Sequence, residues 1–306
     1  MMKTAFNTNS GLSGYTMPSL KEIIEIISRA GLDGIELNAE IFFGPKNRHA
    51  GLDISDEQIK ETKKLCKNYG LKVSSIGAHF SFLSKDPKMR ERNLREYKKC
   101  IDQAVILGAE VVHGFSGGPG KNQIGDEEEL WRIFKSGCTE VLDYAKDKGI
   151  MFGIEPVITH LVYNYDSVKK MFEVINRGDL YLNYDPCHLY MSEPANGHLK
   201  MIDEFGEKII HVHTHDAVGM AEFNWEDFIK KDKVTWENMR PFGCGEIDWK
   251  QVVKSLKKKG FDGFLSFEYG IQGWYVPGYK FYIETVAKSY NHLMKQIITQ
   301  VSATSS

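Results

Sequence analysis

Gly149-Ile150-Met151-Phe152-Gly153-Ile154-Glu155 is a short apolar run that begins at a glycine and stops on a carboxylate. Three further apolar runs likewise end on a residue that can bind a metal: Asp179-Leu180-Tyr181-Leu182-Asn183-Tyr184-Asp185, Ile209-Ile210-His211-Val212-His213 and Phe261-Asp262-Gly263-Phe264-Leu265-Ser266-Phe267-Glu268. Near-continuous apolar runs of this length suit strands buried on both faces of a parallel sheet. Amphipathic helical stretches precede such runs and end near glycine, at Gly31, Gly70, Gly108, Gly149, Gly178, Gly206 and Gly260, where a left-handed cap costs little. Leu20, Ile23, Ile24 and Ile27 line one helix face, as do Val252, Val253 and Leu256. With a run near residues 2–7, eight strand candidates alternate with helical stretches, which predicts a (β/α)8 TIM barrel. A doubly wound open sheet would need a glycine-rich phosphate turn after the first strand, and Asn7-Thr8-Asn9-Ser10-Gly11 is not one.

No linker or composition break interrupts the 306 residues, so one catalytic barrel domain is expected over 1–298, with a flexible polar tail over 299–306. A formal net charge of −2 gives no basic field for nucleic acid. Five scattered cysteines without a Cys-x-x-Cys pair suit reduced thiols, and neither a signal-peptide core nor a membrane-length run is present, so a cytoplasmic protein is expected. The connections over residues 38–54, 114–126 and 216–247 are long, and on a barrel they belong to the rim where substrate binds. The last carries Phe223, Trp225, Phe228 and Trp236, read equally as lid, substrate wall or loop packing.

If the four quoted runs are neighbouring strands, Glu155, Asp185, His213 and Glu268 meet at one rim. Carboxylates with one imidazole suit a divalent ion such as Mn²⁺ or Mg²⁺, with Zn²⁺ or Co²⁺ compatible. Other strand ends add His79, His113 and Glu36. His188, three residues after Asp185, can face the same cavity. His211, His213 and His215 share one strand face, so period alone does not choose among them.

Gly153-Ile154-Glu155, Asp185-x-x-His188, His211-Val212-His213-x-x-Asp216, Gly243-x-Gly245-Glu246-Ile247-Asp248-Trp249 and Gly260-Phe261-Asp262-Gly263-x-x-x-x-Glu268 resemble the sugar phosphate isomerase/epimerase group of xylose isomerase-like barrels. The resemblance spans nearly the whole chain. It implies one divalent metal, Mn²⁺ foremost, on Glu155, Asp185, His213 and Glu268. It makes Glu155 and Glu268 the catalytic acid/base pair and places His188 at the substrate, where His113 and His79 are also expected. Asp216 is then read either as orienting a ligand or as a helix cap. The implied chemistry is proton abstraction beside a sugar carbonyl through an enediolate, returning an isomer or epimer.

Departures from the family shape the alternatives. A related three-zinc endonuclease needs an Asp-x-His where this chain has Asn238-Met239-Arg240-Pro241-Phe242, and ketohexose 3-epimerases carry an arginine where Gly219 stands. Gly117-Gly118-Pro119-Gly120-Lys121 is not a P-loop and reads as a flexible turn. A lyase of the same family would cleave 3-keto C-glycosides by β-elimination, in complex with a small β-sheet subunit. The rim aromatics Phe42, Phe43, Trp225, Trp236, Trp274 and Tyr275 would then stack on an aglycone. A sugar-binding barrel without turnover is a further reading. The expected partner is a sugar or glycoside, without nucleic acid or membrane, in a homo-oligomer or with a small subunit.

Overall fold

In the computed structural model, which describes residues 1–12, 18–40, 48–118, 127–192, 196–219, 238–271 and 279–303, the apolar runs pair in parallel and close on themselves. The strands are β1 (Lys3–Asn7), β2 (Gly34–Asn38), β3 (Lys72–Gly77), β4 (Val111–Phe115), β5 (Met151–Glu155), β6 (Leu180–Tyr184), β7 (Ile209–His213) and β8 (Phe264–Phe267). Each pairs with its sequence neighbours, and β1 closes the ring against both β8 and β2. Helices follow the strands as the outer layer: α1 (Leu20–Arg29), α2 (Asp56–Asn68), α3 (Pro87–Leu107), α4 (Glu127–Lys148), α5 (Tyr165–Ile175), α6 (Pro186–Ser192), α7 (Gly197–Phe205), α8 (Trp249–Lys258) and α9 (Tyr279–Ala303). This is the single-domain (β/α)8 barrel that the alternation predicts. Among the described residues no helix is long and apolar enough to cross a membrane.

Local signals set the helix ends. Ser19 with Glu22 and Ser55 with Gln58 form capping boxes at α1 and α2. Gly31, Gly70, Gly108, Gly149 and Gly260 take the left-handed conformation. Two junction glycines behave differently. Asn176, at φ 51°, caps α5 two residues before Gly178, and Gly206, at φ −56°, runs on into a 3-10 turn. Residues 299–303, expected in the tail, belong to α9. Ile298 and Val301 are three apart and buried, so the apolar stripe of the helix continues through them. Residues 304–306 lie outside the described set.

Two irregularities fall beside the site. The β2–β3 register shifts between Ile35 and Glu36, and the β6–β7 register shifts between Leu182 and Asn183. A bulge re-aims the side chains that follow it, and Glu36 and Asn183 both point polar groups into the barrel. Gly77 gives Glu36 room, because a Cβ there would stand 3.1 Å from Glu36 Oε1 and 3.4 Å from His113 Cε1.

A buried ion pair fastens the chain entering α2. Arg48 and Glu96 have side chains 3% and 1% exposed. Glu96 also accepts from the Leu52 N–H at 2.8 Å, while Arg48 Nε donates to the Ala50 carbonyl at 3.0 Å. Arg48→Met leaves the buried Glu96 carboxylate with only the exposed Arg92 guanidinium, 3.9 Å away, at an expected cost of about 3–5 kcal/mol in denaturant unfolding. Arg48→Met/Glu96→Leu is expected to recover most of it, and a double variant as unstable as the single one would contradict this account.

Candidate metal centre

Glu155 and His213 end β5 and β7, while Asp185 and Glu268 directly follow β6 and β8. All four therefore stand at the C-terminal rim, the functional face of such barrels. One donor atom from each lies within 4.8 Å of the others. His213 Nδ1 is 3.1 Å from Glu155 Oε1 and 2.7 Å from Glu268 Oε2. Glu155, Asp185 and His213 are buried, and the Glu268 side chain is 13% exposed. Three carboxylates gathered out of water need positive charge among them. Oxygen donors with one imidazole make a set that fits a divalent ion.

The electrostatics agree. Burial pushes the Glu155 carboxyl up, but His213 and His79 outweigh it and hold Glu155 well below the usual range. Burial pushes His213 down, but Glu155, Glu268 and Glu36 outweigh it and raise His213 well above its ordinary value. Without a metal, His213 thus carries a proton among the carboxylates. Asp185 is pushed up by burial and brought below its usual value by His215 and His188.

A shell of donors holds the four side chains. Asn183 Nδ2 donates to Glu155 Oε2 at 3.0 Å, and Asn7 Nδ2 donates to Glu268 Oε1 at 2.9 Å. His79 Nε2 is 3.1 Å from Glu155 Oε2, and its ring stacks on Phe115. Burial lowers His79, but Glu155 and Glu40 outweigh that and raise it to about 10. Asp185 accepts from the Cys187 N–H at 2.8 Å and lies 2.9 Å from His215 Nδ1.

The residues singled out from sequence separate into groups. Glu155, Asp185, His213 and Glu268 come together. His79 and His188 flank them, His188 Nε2 being 3.8 Å from Asp185 Oδ2. His113 lies deeper and is fully buried. Its Nε2 faces Glu36 at 2.9 Å and its Nδ1 faces Asn183 Nδ2 at 3.2 Å. The His211-to-His215 series divides by depth: His211 meets Glu36, His213 joins the four, and His215 meets Asp185. Asn7 and Asn183 were not singled out. A polar amide inside an apolar run was the available signal for the two asparagines.

Asp216 takes neither role read for it. Its carboxylate accepts from the N–H groups of Ala217, Gly243 and Ile247 and from Trp249 Nε1, at 2.9 to 3.2 Å. It therefore moors the Gly-x-Gly-Glu-Ile-Asp-Trp segment, while Asp248 caps α8. Asp216→Ala strands several buried donors, and a loss of about 2–4 kcal/mol is expected from charged hydrogen bonds of this kind. Metal stoichiometry should stay unchanged, and loss of the metal in a folded variant would contradict the mooring role. Gly219 has φ 65° and donates its N–H to Glu246 Oε2 at 2.8 Å. Phe42, Phe43, Phe223, Trp225, Phe228, Trp236, Trp274, Tyr275 and the 119–121 part of the glycine-rich turn lie outside the described residues.

A model of the xylose isomerase-like TIM barrel family matches residues 24–290. An inosose dehydratase of Serratia proteamaculans (strain 568) is 23% identical over 281 residues, covering 84% of this chain and 87% of that protein. An inosose dehydratase of Glaesserella parasuis serovar 5 (strain SH0165) is 26% identical over 208 residues, covering 64% and 69%. Among solved structures, an L-ribulose 3-epimerase superposes with a TM-score of 0.73 at 17% identity, covering 100% of this chain and 97% of that one. Its sequence motifs, its closed eight-strand barrel and the extent of the family match agree, and the chain belongs to the xylose isomerase-like TIM barrel family.

Proposed function

We propose that the protein is a divalent-metal-dependent enzyme that removes a proton beside the carbonyl of a sugar and returns an isomer or epimer. One observation carries this reading: Glu155 and Glu268 lie within 3.1 and 2.7 Å of the same nitrogen of His213. Two carboxylates are thus fixed at one rim, where a binding module would need neither an acid nor a base. The ion, Mn²⁺ foremost, would be held by Glu155, Asp185, His213 and Glu268. When bound, it supplies Lewis-acid polarisation of the carbonyl and stabilises the charge of the enediolate. Glu268, the more exposed carboxylate, takes the substrate proton. Glu155, an ionised carboxylate held by Asn183 and facing His79 Nε2 at 3.1 Å, passes a proton from the His79 imidazolium to the carbon. His188 and His79 orient the hydroxyls, so that proximity supplies part of the rate.

The names of the sequence relatives favour a second reading, in which the same carbanion expels a β-substituent. Dehydration of a keto sugar or cleavage of a 3-keto C-glycoside would follow, and Gly219, standing where ketohexose epimerases carry arginine, is consistent with it. The test is a panel of free ketoses, sugar phosphates, inososes and keto-glycosides incubated with metal-loaded protein in D₂O. Deuterium on the carbon beside the carbonyl, with stereoisomers as products, supports the first reading. Dehydrated sugar or freed aglycone supports the second. Absence of both exchange and turnover across the panel would overturn the shared step.

A further inference from the structure

One layer below the four donor residues lies a carboxylate that proton abstraction does not use. Glu36, at the bulge of β2, is 0% exposed. Asn7 Nδ2 donates to its Oε1 at 3.0 Å, and the Nε2 atoms of His113 and His213 lie 2.9 and 3.0 Å from the same oxygen. His211 Nε2 lies 2.9 Å from Oε2. An ionised carboxylate only accepts hydrogen bonds, so each imidazole facing Glu36 presents Nε2–H. At His113 this agrees with Asn183 Nδ2, which faces the opposite nitrogen, Nδ1. At His213 it leaves Nδ1, the atom turned toward Glu155 and Glu268, as the one that can offer a lone pair to a cation.

We infer that Glu36 is a positioning residue that fixes His213 as an Nδ1 metal donor, with Asn7, His113 and His211 holding the Glu36 carboxylate in place. The inference rests on the metal-centre reading above. It gives His113 a supporting place beneath the centre instead of a contact with substrate. A carboxylate behind a ligating histidine sets its tautomer and ring orientation and raises its basicity. Here the orientation is doubly determined, because the four donors leave Glu36 little freedom to turn.

The test uses the full chain stripped of metal and titrated with Zn²⁺, comparing wild type with Glu36→Gln. Wild type is expected to take one ion per chain and Glu36→Gln to bind about 10- to 100-fold more weakly. A second measurement needs no variant and decides the matter if Glu36→Gln fails to fold. In zinc-loaded wild type labelled with ¹⁵N-histidine, NMR should show His213 protonated at Nε2 and zinc-bound at Nδ1. Zinc on Nε2 of His213, or unchanged affinity in folded Glu36→Gln, overturns the inference while leaving the metal centre intact. Two ions per chain, with Glu36 itself a ligand, also overturns it. A wild type that takes up no zinc overturns the metal-centre reading and the Glu36 inference together.

Discussion

Glu155→Gln and Glu268→Gln are each expected to lower turnover by about 10²- to 10⁴-fold, the range for loss of a positioned acid or base. Gln keeps the shape and an acceptor oxygen but neither takes nor returns a proton at neutral pH. The two residues act on one substrate carbon in sequence, so the double variant should be little worse than the weaker single one. Each change also removes one of three carboxylates facing the ion, so metal content has to be measured beside turnover. With metal restored at saturating concentration, both variants should remain slow. Deuterium exchange should separate them: with Glu268 gone the substrate C–H is not broken and exchange stops. With Glu155 gone, the proton is removed and returned from the same side, so some exchange survives without net isomerisation. A variant at either position with wild-type turnover would remove that glutamate from the mechanism.

Metal uptake is expected to tighten as pH rises, by about tenfold per pH unit wherever His213 is protonated in the metal-free protein and neutral in the loaded one. Burial favours neutral His213, but Glu155, Glu268 and Glu36 overcome it and raise the group well above its ordinary value. Metal must therefore displace a proton across the neutral range. In the metal-free chain the sign runs the opposite way. The stabilisation from protonated His213 among its carboxylates is fully present below the unfolded-state value of about 6.5 and is lost as pH rises through the raised folded value. Raising the pH should thus weaken the metal-free fold while strengthening the loaded one. Parallel Mn²⁺ titrations and thermal unfolding across the neutral range check both signs, and pH-independent affinity would contradict the placement of a proton on His213.

Much of the barrel was legible because its strands carry near-continuous apolar runs and its helical stretches end near glycine. Residues 299–303 were misread because polar Ser302 and small Ala303 hide a helix whose buried stripe still reaches Val301. The four donors were legible as strand-end residues, and family motifs chose His213 from three histidines on one strand face. The layer beneath was not. Glu36 stood in the sequence as one more strand-end carboxylate, and only the register shift beside it shows that it turns inward to meet three histidines. Asn183 joins Glu155 for the same reason. Asp216 was misassigned because its partners, 27 to 33 residues away in sequence, are mostly backbone N–H groups that carry no residue signature.

We propose that Glu155, Asp185, His213 and Glu268 together hold one divalent ion. The most direct measurement is the Mn²⁺ content of metal-stripped, reloaded and gel-filtered protein, comparing wild type with Asp185→Ala. One ion per chain in wild type and a large loss in the folded variant are predicted. No retained ion in wild type, or equal retention in Asp185→Ala, would contradict the claim.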